Sequence, residues 1–207
     1  TLIISHADKL SQINNDYDLY YGKRSLHEAN YCILNKTGIY FKLNASLNNT
    51  IYIVEMNNLR IRFSLKVYKR MIKSFFLVLP YFLKNPFSRF NLCLLIDSLS
   101  LNTFTNFCIS MQVEEIILKN SFKNIITTWE GYPWERHIAY YCNKNKINLY
   151  AYVHAGPFST QHAAYRKLPN QFNPNKFLTP TKISQNLLKK YHCLESKLVG
   201  THKFYSI

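Results

Sequence analysis

Short β-branched runs alternate with amphipathic helical patterns over the second half of the chain. The run "NIITTW" contains no charged residue, which is typical of a buried parallel strand, and "INLYAYVHAG", "KFLTP" and "SKLVG" are similar runs. Helical patterns lie between them in "PWERHIAYYCNKN", where Pro133 suits the first helical position, and in "TKISQNLLKKYH", where Thr181 suits the N-cap. The alternation over residues 122–200 predicts a Rossmann-like α/β domain, in which helices cover both faces of a mainly parallel sheet.

The first half predicts three more strands and a long helical region. "TLII", "YCILN" and "IYIVEM" are rich in β-formers, and turn-forming residues separate the last two. From about Arg62 to Lys84, apolar residues recur at spacings of three and four, which predicts a helix that Pro80 kinks or ends. "NLCLLIDSL" fits either a strand or the start of a helix, and a helix is expected to follow it to about Lys119.

Four basic residues crowd the first half of the helix predicted from Arg62: Lys66, Lys69, Arg70 and Lys73, here called the basic patch. The pattern has two interpretations. The patch is a solvated face opposite a buried apolar face, or it lies on an anionic membrane surface. The apolar run "FFLVLPYFL" is too short to span a bilayer, and residues 1–15 lack the pattern of a signal peptide. We therefore expect a cytoplasmic protein that is at most peripheral on the inner face of the membrane.

Composition adds a strong positive charge. The 207 residues include 26 Lys and Arg against 11 Asp and Glu, a net charge of +15, and 47% of the chain is hydrophobic. This charge suits nucleic acid, anionic lipid or phosphorylated substrates, but a compositional bias towards Lys, Asn, Ile, Tyr and Phe explains much of it equally well. The basic residues are spread out and form no known binding motif, which argues against nucleic acid as a partner. The 5 cysteines form no C-x-x-C pair, which disfavours disulfides and fits a reducing compartment.

Candidate chemistry follows the ends of two predicted strands. Glu130 comes directly after "NIITTW", and His154 comes at the end of "LYAYVH", with Gly156 in the turn that follows. Sheets of this class bind ligands beyond the carboxyl ends of their strands, so the two side chains face one cleft if the strands are neighbours. They then suit general acid–base chemistry or a hydrogen bond to a sugar hydroxyl. The alternative is that Glu130 caps a helix and His154 stabilises the turn.

Two loops add weaker candidates. In the long polar loop after His154, Arg166 and Lys167 suit a phosphate or a carboxylate, or are ordinary surface residues. An acidic loop with Asp8, Asp16 and Asp18 follows the first strand, and this position is expected to border the same cleft. The chain has no dinucleotide-binding, Walker A, nucleophile-elbow or zinc-protease motif, and no metal site is predicted.

Two segments, "TTWEGYPWERHIAYYCNKNKINLYAYVHAGP" and "FLTPTKISQNLLKKYHCLESKLVGTHKF", resemble bacterial surface-carbohydrate glycosyltransferases of the GT-B type. Those enzymes build capsule, O-antigen or lipopolysaccharide sugars. The resemblance covers about residues 124–204 and rests on the order of the acid after a strand, the helices, and the turn that contains His and Gly. It implies an acceptor-side domain over residues 1–200, with residues 201–207 starting a linker. A second domain would bind the nucleotide-sugar donor, and this domain itself would hold no cofactor.

The resemblance also implies functions for single residues. Glu130 would be the general base that deprotonates the acceptor hydroxyl. Trp129, Tyr132 and Trp134 would stack on a sugar ring, or would instead pack the helix against the sheet. The implied partner is a glycan acceptor, and a lipid-linked acceptor would fit the basic patch. A basic nucleic-acid-binding module and a non-catalytic scaffold domain are the competing functions.

Overall fold

The computed structural model describes residues 1–6, 29–35, 50–55, 61–153, 163–166, 168–192 and 196–200. The strands are β1 (Leu2–His6), β2 (Asn30–Asn35), β3 (Ile51–Glu55), β4 (Asn124–Thr128), β5 (Asn148–Tyr152), β6 (Lys176–Thr179) and β7 (Ser196–Leu198). The α-helices are α1 (Ile61–Lys84), α2 (Arg89–Asp97), α3 (Leu101–Asn120), α4 (Pro133–Lys144) and α5 (Lys182–His192). Short 3₁₀ turns span Ala163–Tyr165 and Asn170–Phe172.

The seven strands form one sheet in the order β3-β2-β1-β4-β5-β6-β7, and every pairing in it is parallel. The Rossmann-like α/β prediction is therefore confirmed. The first six strands follow the 3-2-1-4-5-6 order of doubly wound nucleotide-binding folds. In this order the chain builds outward from β1 in one direction and from β4 in the other. The topological switch point therefore lies between β1 and β4, and in folds of this order the ligand-binding crevice lies there, beyond the carboxyl ends of the strands.

In the central strands β1 and β2, alternate residues are buried on opposite faces of the sheet. On one face, Leu2 and Ile125 belong to a large core that includes residues of α3, α4 and α5. On the other face, Ile3 and Tyr31 form a smaller cluster and are also buried. The part of the prediction that places helices on this second face lies outside the described residues, as does the proposed linker at 201–207.

Local signals explain where most helices begin. Pro133 opens α4, and the Oγ1 atom of Thr181 accepts the Ser184 N–H at 3.1 Å at the start of α5, as predicted. The ambiguous segment "NLCLLIDSL" is helical, and α2 begins after Ser88, whose side chain accepts the Asn91 N–H. Pro80 does not end α1, which continues for a further turn to Lys84. A proline removes one backbone donor, and the helix tolerates that loss here.

The expectation of a buried apolar face on α1 needs correction. Of its described side chains only Val67 and Met71 are buried, in a small cluster with residues of α3 such as Phe104. Several residues of the apolar stripe identified from the sequence are exposed, namely Leu65, Tyr68, Ile72 and Phe76, although the Tyr68 ring still packs against Phe104 of α3 with ring centres 5.3 Å apart. Apolar periodicity correctly predicted the helix, but it could not predict that the rest of the fold leaves this stripe uncovered.

Helix α3 runs along the sheet from the carboxyl ends of the strands to their amino ends. Near its end, Asn120 accepts a hydrogen bond from the Tyr52 hydroxyl at the start of β3. Eight residues earlier, Gln112 Nε2 donates to the Glu55 carbonyl oxygen at the carboxyl end of the same strand. The helix therefore extends by its first ten residues, about 15 Å, beyond the carboxyl edge of the sheet. The helices packed on that segment lie on the same side of the sheet as the crevice.

Candidate functional site

The candidate site lies where β1 and β4 meet at the switch point. β1 and β4 are hydrogen-bonded neighbours, with Ile4 opposite Thr127, and Glu130 follows β4 after one residue. β4 and β5 are also hydrogen-bonded neighbours. The other predicted site residues in this region lie outside the described residues: His154, Gly156, Lys167 and the acidic residues Asp8, Asp16 and Asp18.

A tight turn carries the chain from β4 into α4. Three consecutive backbone N–H groups, those of Glu130, Gly131 and Tyr132, donate to Oε2 of Glu135 at 3.0, 2.6 and 2.8 Å. Glu135 is almost completely buried. Burial raises the pKa of its carboxyl group to about 8, and the three N–H donors act in the opposite direction. The protein's own carboxylate thus fills the anion-binding position at the start of α4, where other folds of this class bind phosphate.

Glu130 is turned away from this internal contact. Its carboxylate forms a hydrogen bond with the Tyr132 hydroxyl, which together with burial raises the pKa of that phenol to about 12. Glu130 is partly buried, and Tyr132 is 43% exposed, so both side chains reach the solvent side of the turn. Of the two acids, Glu135 holds the turn and Glu130 is the one that remains accessible to a ligand.

The two tryptophans do not share this accessibility. Trp129 is 0% exposed and Trp134 is 4% exposed. The Trp129 ring packs edge-on against Phe177 of β6, with the two ring centres 5.9 Å apart. Neither indole presents a face to a sugar, so the packing alternative describes both residues and Tyr132 alone keeps the predicted stacking position. Trp129 Nε1 has no hydrogen-bond partner in the described part of the chain.

Arg136 attaches the following loop to α4. It is buried, and its guanidinium carbon lies 4.7 Å from the centre of the Trp129 ring. It donates hydrogen bonds to the Oδ1 atom of Asn173 and to carbonyl oxygens that include those of Ala163 and Arg166. Burial, and to a lesser degree the neighbouring Arg166, lower the pKa of Arg136 to about 10. Arg136 thereby fixes residues 163–166 and 168–173 beside the start of α4.

Gly131 allows this loop to approach closely. Its φ of +80° lies in the left-handed region, and a Cβ atom there would stand only 2.4 Å from the carbonyl carbon of Ala163. A cleft of about 360 Å³ lies at this junction, and Gly131, Arg166, His137 and Phe172 are among its lining residues. Arg166 is exposed there, as its predicted contact with an anion requires. Glu130 precedes Gly131 in the chain but is not among the residues that line the cleft.

A buried acid connects this cleft to α1. The Glu114 carboxylate on α3 accepts from Arg70 Nη2 at 2.9 Å, and its other oxygen lies 3.0 Å from His137 Nδ1. Burial acts to raise the pKa of Glu114, but the contacts with His137 and Arg70 outweigh it and hold the pKa below its ordinary value. Arg70, one member of the basic patch, is thus a structural ion-pair partner.

Sequence reasoning missed Glu114, Arg136 and Ser5. Glu114 is a charged residue within the apolar run of α3, and Arg136 adjoins the predicted apolar face of α4. A charged residue at such a position indicates a buried ion pair or a buried side chain that forms hydrogen bonds. Ser5 ends an apolar strand at the switch point, and its buried Oγ atom has no partner among the described residues. No group of three or more metal-ligating side chains comes together in the described ranges.

Comparison of the chain with protein-family models, with curated protein sequences and with solved structures found no match.

Proposed function

We propose that this chain is the acceptor-side domain of a GT-B-type glycosyltransferase and that Glu130 is its general base. The observation that carries the proposal is the position of the Glu130 carboxylate. It follows β4 at the topological switch point, where parallel α/β folds bind ligands, and it is partly exposed beside a tyrosine hydroxyl. The donor would be a nucleotide sugar bound mainly by a second domain, and the acceptor a surface-glycan precursor.

The proposed step is an inverting transfer. A Glu130 oxygen takes the proton of an acceptor hydroxyl as that oxygen attacks the anomeric carbon of the donor sugar. The new glycosidic bond forms while the bond to the nucleoside diphosphate breaks, and its electron pair leaves with the diphosphate. Tyr132 forms a hydrogen bond with the Glu130 carboxylate and thereby holds the Glu130 side chain in one rotamer. Tyr132 also offers an exposed aromatic face for the acceptor sugar. Arg166 supplies a positive charge nearby for an anionic group of either substrate.

The test uses the longest natural protein that contains this chain. It is incubated with UDP-, GDP-, CMP- and dTDP-sugars and with lipid and polysaccharide extract from its source, and release of the nucleotide is measured. Glu130→Gln should lower turnover by on the order of 10²-fold or more, the usual scale for losing a positioned base. Tyr132→Phe, which removes only the hydroxyl, should have a smaller effect.

Glu55→Gln is the matched control. Glu55 is exposed at the carboxyl end of β3, three strands from β4, and should leave turnover unchanged. Full turnover in Glu130→Gln, with sugar transfer intact in the wild type, would show that another group is the base. If no nucleotide sugar is consumed and random DNA is bound tightly with a steep salt dependence, the nucleic-acid-binding alternative replaces this proposal.

A further inference from the structure

Helices α1 and α2 expose an unusual amount of apolar surface. None of the nine residues of α2 is buried. Phe87, in the turn between the two helices, is 96% exposed, and Phe90 is 70% exposed. The large exposed side chains of this region, here called the apolar surface, include Phe76, Tyr81, Leu83, Phe87, Phe90 and Ile96. Exposed apolar patches of this kind indicate a binding surface rather than ordinary solvent contact.

The basic patch adjoins the apolar surface along α1. At about 100° per residue, Leu65, Ile72, Phe76 and Leu83 fall within about 40° of one another around the helix, and the strip that holds Lys69 and Lys73 follows directly. A cleft of about 650 Å³ lies at this border and is lined by the basic patch together with Ile72, Phe76 and Met111. The arrangement places an apolar strip and a cationic strip side by side, which is the pattern of helices that lie in a membrane interface.

The four charges of the basic patch are not equivalent. Lys66 lies 3.4 Å from Glu115, and Arg70 is paired with Glu114. Lys69 and Lys73 are exposed and have no ion pair within the described part of the chain. These two lysines are therefore the charges that remain available to an external partner.

We propose that the apolar surface inserts into the interface of an anionic phospholipid bilayer, with Lys69 and Lys73 against the lipid phosphates. Charge favours lipid over a second copy of this chain. A symmetric dimer would bring the same surface of each copy together, and with it two basic patches of like charge. Anionic lipid complements the patch, and each lysine near such a surface strengthens binding by roughly fivefold.

The location of the apolar surface agrees with this proposal. Part of the contact between α1 and α3 lies beyond the carboxyl edge of the sheet, where Val67 and Met71 cluster with Phe104, and part lies beside the sheet at Glu114 and Glu115. The bilayer would therefore lie on the same side of the domain as the candidate site. No single described helix is long and apolar enough to cross a bilayer, and only α2 and α3 together pass on length and composition, bent by 52°. Because α3 contributes eight buried residues to the protein, the proposal concerns α1 and α2 alone.

Vesicle sedimentation tests the proposal without reference to any sugar transfer. The protein should bind vesicles of phosphatidylcholine that contain about 30% phosphatidylglycerol, and it should bind pure phosphatidylcholine vesicles much more weakly. Phe87→Ser with Phe90→Ser should weaken binding by roughly tenfold or more for each phenylalanine that inserts. Lys69→Gln with Lys73→Gln should weaken it by about 30-fold at low salt and by less at high salt.

Two double variants are matched controls. Leu118→Ser with Ile183→Ser removes apolar side chains of similar exposure elsewhere, and Lys182→Gln with Lys189→Gln removes two exposed charges on α5. Both should bind vesicles as the wild type does. Equal binding to neutral and anionic vesicles, or equal losses in test and control variants, would overturn the proposal.

A probe on α2 reports insertion directly. Cys93 is exposed on that helix, and the other described cysteines, Cys32, Cys108 and Cys142, are buried. In a Cys193→Ser background, an environment-sensitive dye on Cys93 should shift to the blue with anionic vesicles and should be quenched by lipids that carry a nitroxide on the acyl chain. No shift when the protein is bound would exclude insertion of α2. A dimer that Phe87→Ser with Phe90→Ser dissociates, in a protein that binds no vesicle, would assign the apolar surface to a second copy.

Discussion

Glu135 should contribute far more to stability than Glu130, although the two acids lie only five residues apart. Replacing Glu135 by Ala removes the acceptor of three backbone N–H groups, which lie 2.6, 2.8 and 3.0 Å from its Oε2 atom. A hydrogen bond contributes about 0.5–1.5 kcal/mol, and a buried donor left without a partner costs about 1–3 kcal/mol. Water can reach the N–H groups near the exposed Tyr132 side chain after the substitution, so the full sum does not apply. We expect a loss of roughly 3 kcal/mol in the free energy of unfolding.

Glu130→Ala is the comparison variant. Glu130 is partly exposed, and its carboxylate interacts with a tyrosine that is itself 43% exposed. Its removal should cost less than about 1 kcal/mol, as for most partly exposed polar contacts.

Urea unfolding followed by tryptophan fluorescence measures both changes. The chain has only two tryptophans, both are buried, and they flank the turn, so their emission reports whether the site is folded. A Glu135→Ala protein within about 1 kcal/mol of the wild type would refute the argument that the three N–H contacts hold the turn. A Glu130→Ala protein as unstable as Glu135→Ala would show that both acids are structural and would remove the main support for Glu130 as the base.

Two further predictions concern Glu114 and Gly131. Contacts with Arg70 and His137 hold the pKa of Glu114 below its ordinary value of 4.5. The stability that these contacts contribute is therefore present above pH 4.5 and is lost as the pH falls through the lowered pKa. The difference in the free energy of unfolding between the wild type and Glu114→Gln, measured in urea, should therefore shrink between about pH 6 and about pH 3. A constant difference would contradict the assignment of these contacts to a charged Glu114. Gly131→Ala should cost on the order of 2 kcal/mol or more in the same assay, whereas Gly200→Ala, with the same φ of +80° but open space around it, should cost only about 1 kcal/mol. Equal costs would mean that the loop does not press against Gly131.

Much of the fold could be predicted because each signal for it is local. The β-branched runs, the proline at the start of α4 and the threonine before α5 act within a few residues of their own position, and the structure bears them out. The strand order required more than local signals. Nothing in the pattern of a single strand states that β1 lies between β2 and β4, because that arrangement depends on the handedness and length of the crossovers between strands.

The exposed surface of α1 shows a second limit. Apolar spacing of three and four residues predicts a helix with one apolar side, and α1 has that side. The same spacing is compatible with burial against the protein, against another chain or against lipid. Which of these applies depends on the elements that pack against α1, and among its described side chains α3 buries only Val67 and Met71.

The sequence could predict the strand, turn and helix that carry the candidate site, but not which of the two acids is buried and which is accessible. Both Glu130 and Glu135 follow a buried strand and lie near a helix start, so sequence position supports either one as the reactive group. The difference arises from Gly131, whose left-handed conformation folds the chain back so that the later acid reaches the N–H groups of residues 130–132. Once Glu135 is bound in this way it is sealed from solvent, and the earlier acid is the one left at the edge of the crevice. The chemistry proposed for Glu130 therefore depends on a carboxylate that takes no part in it.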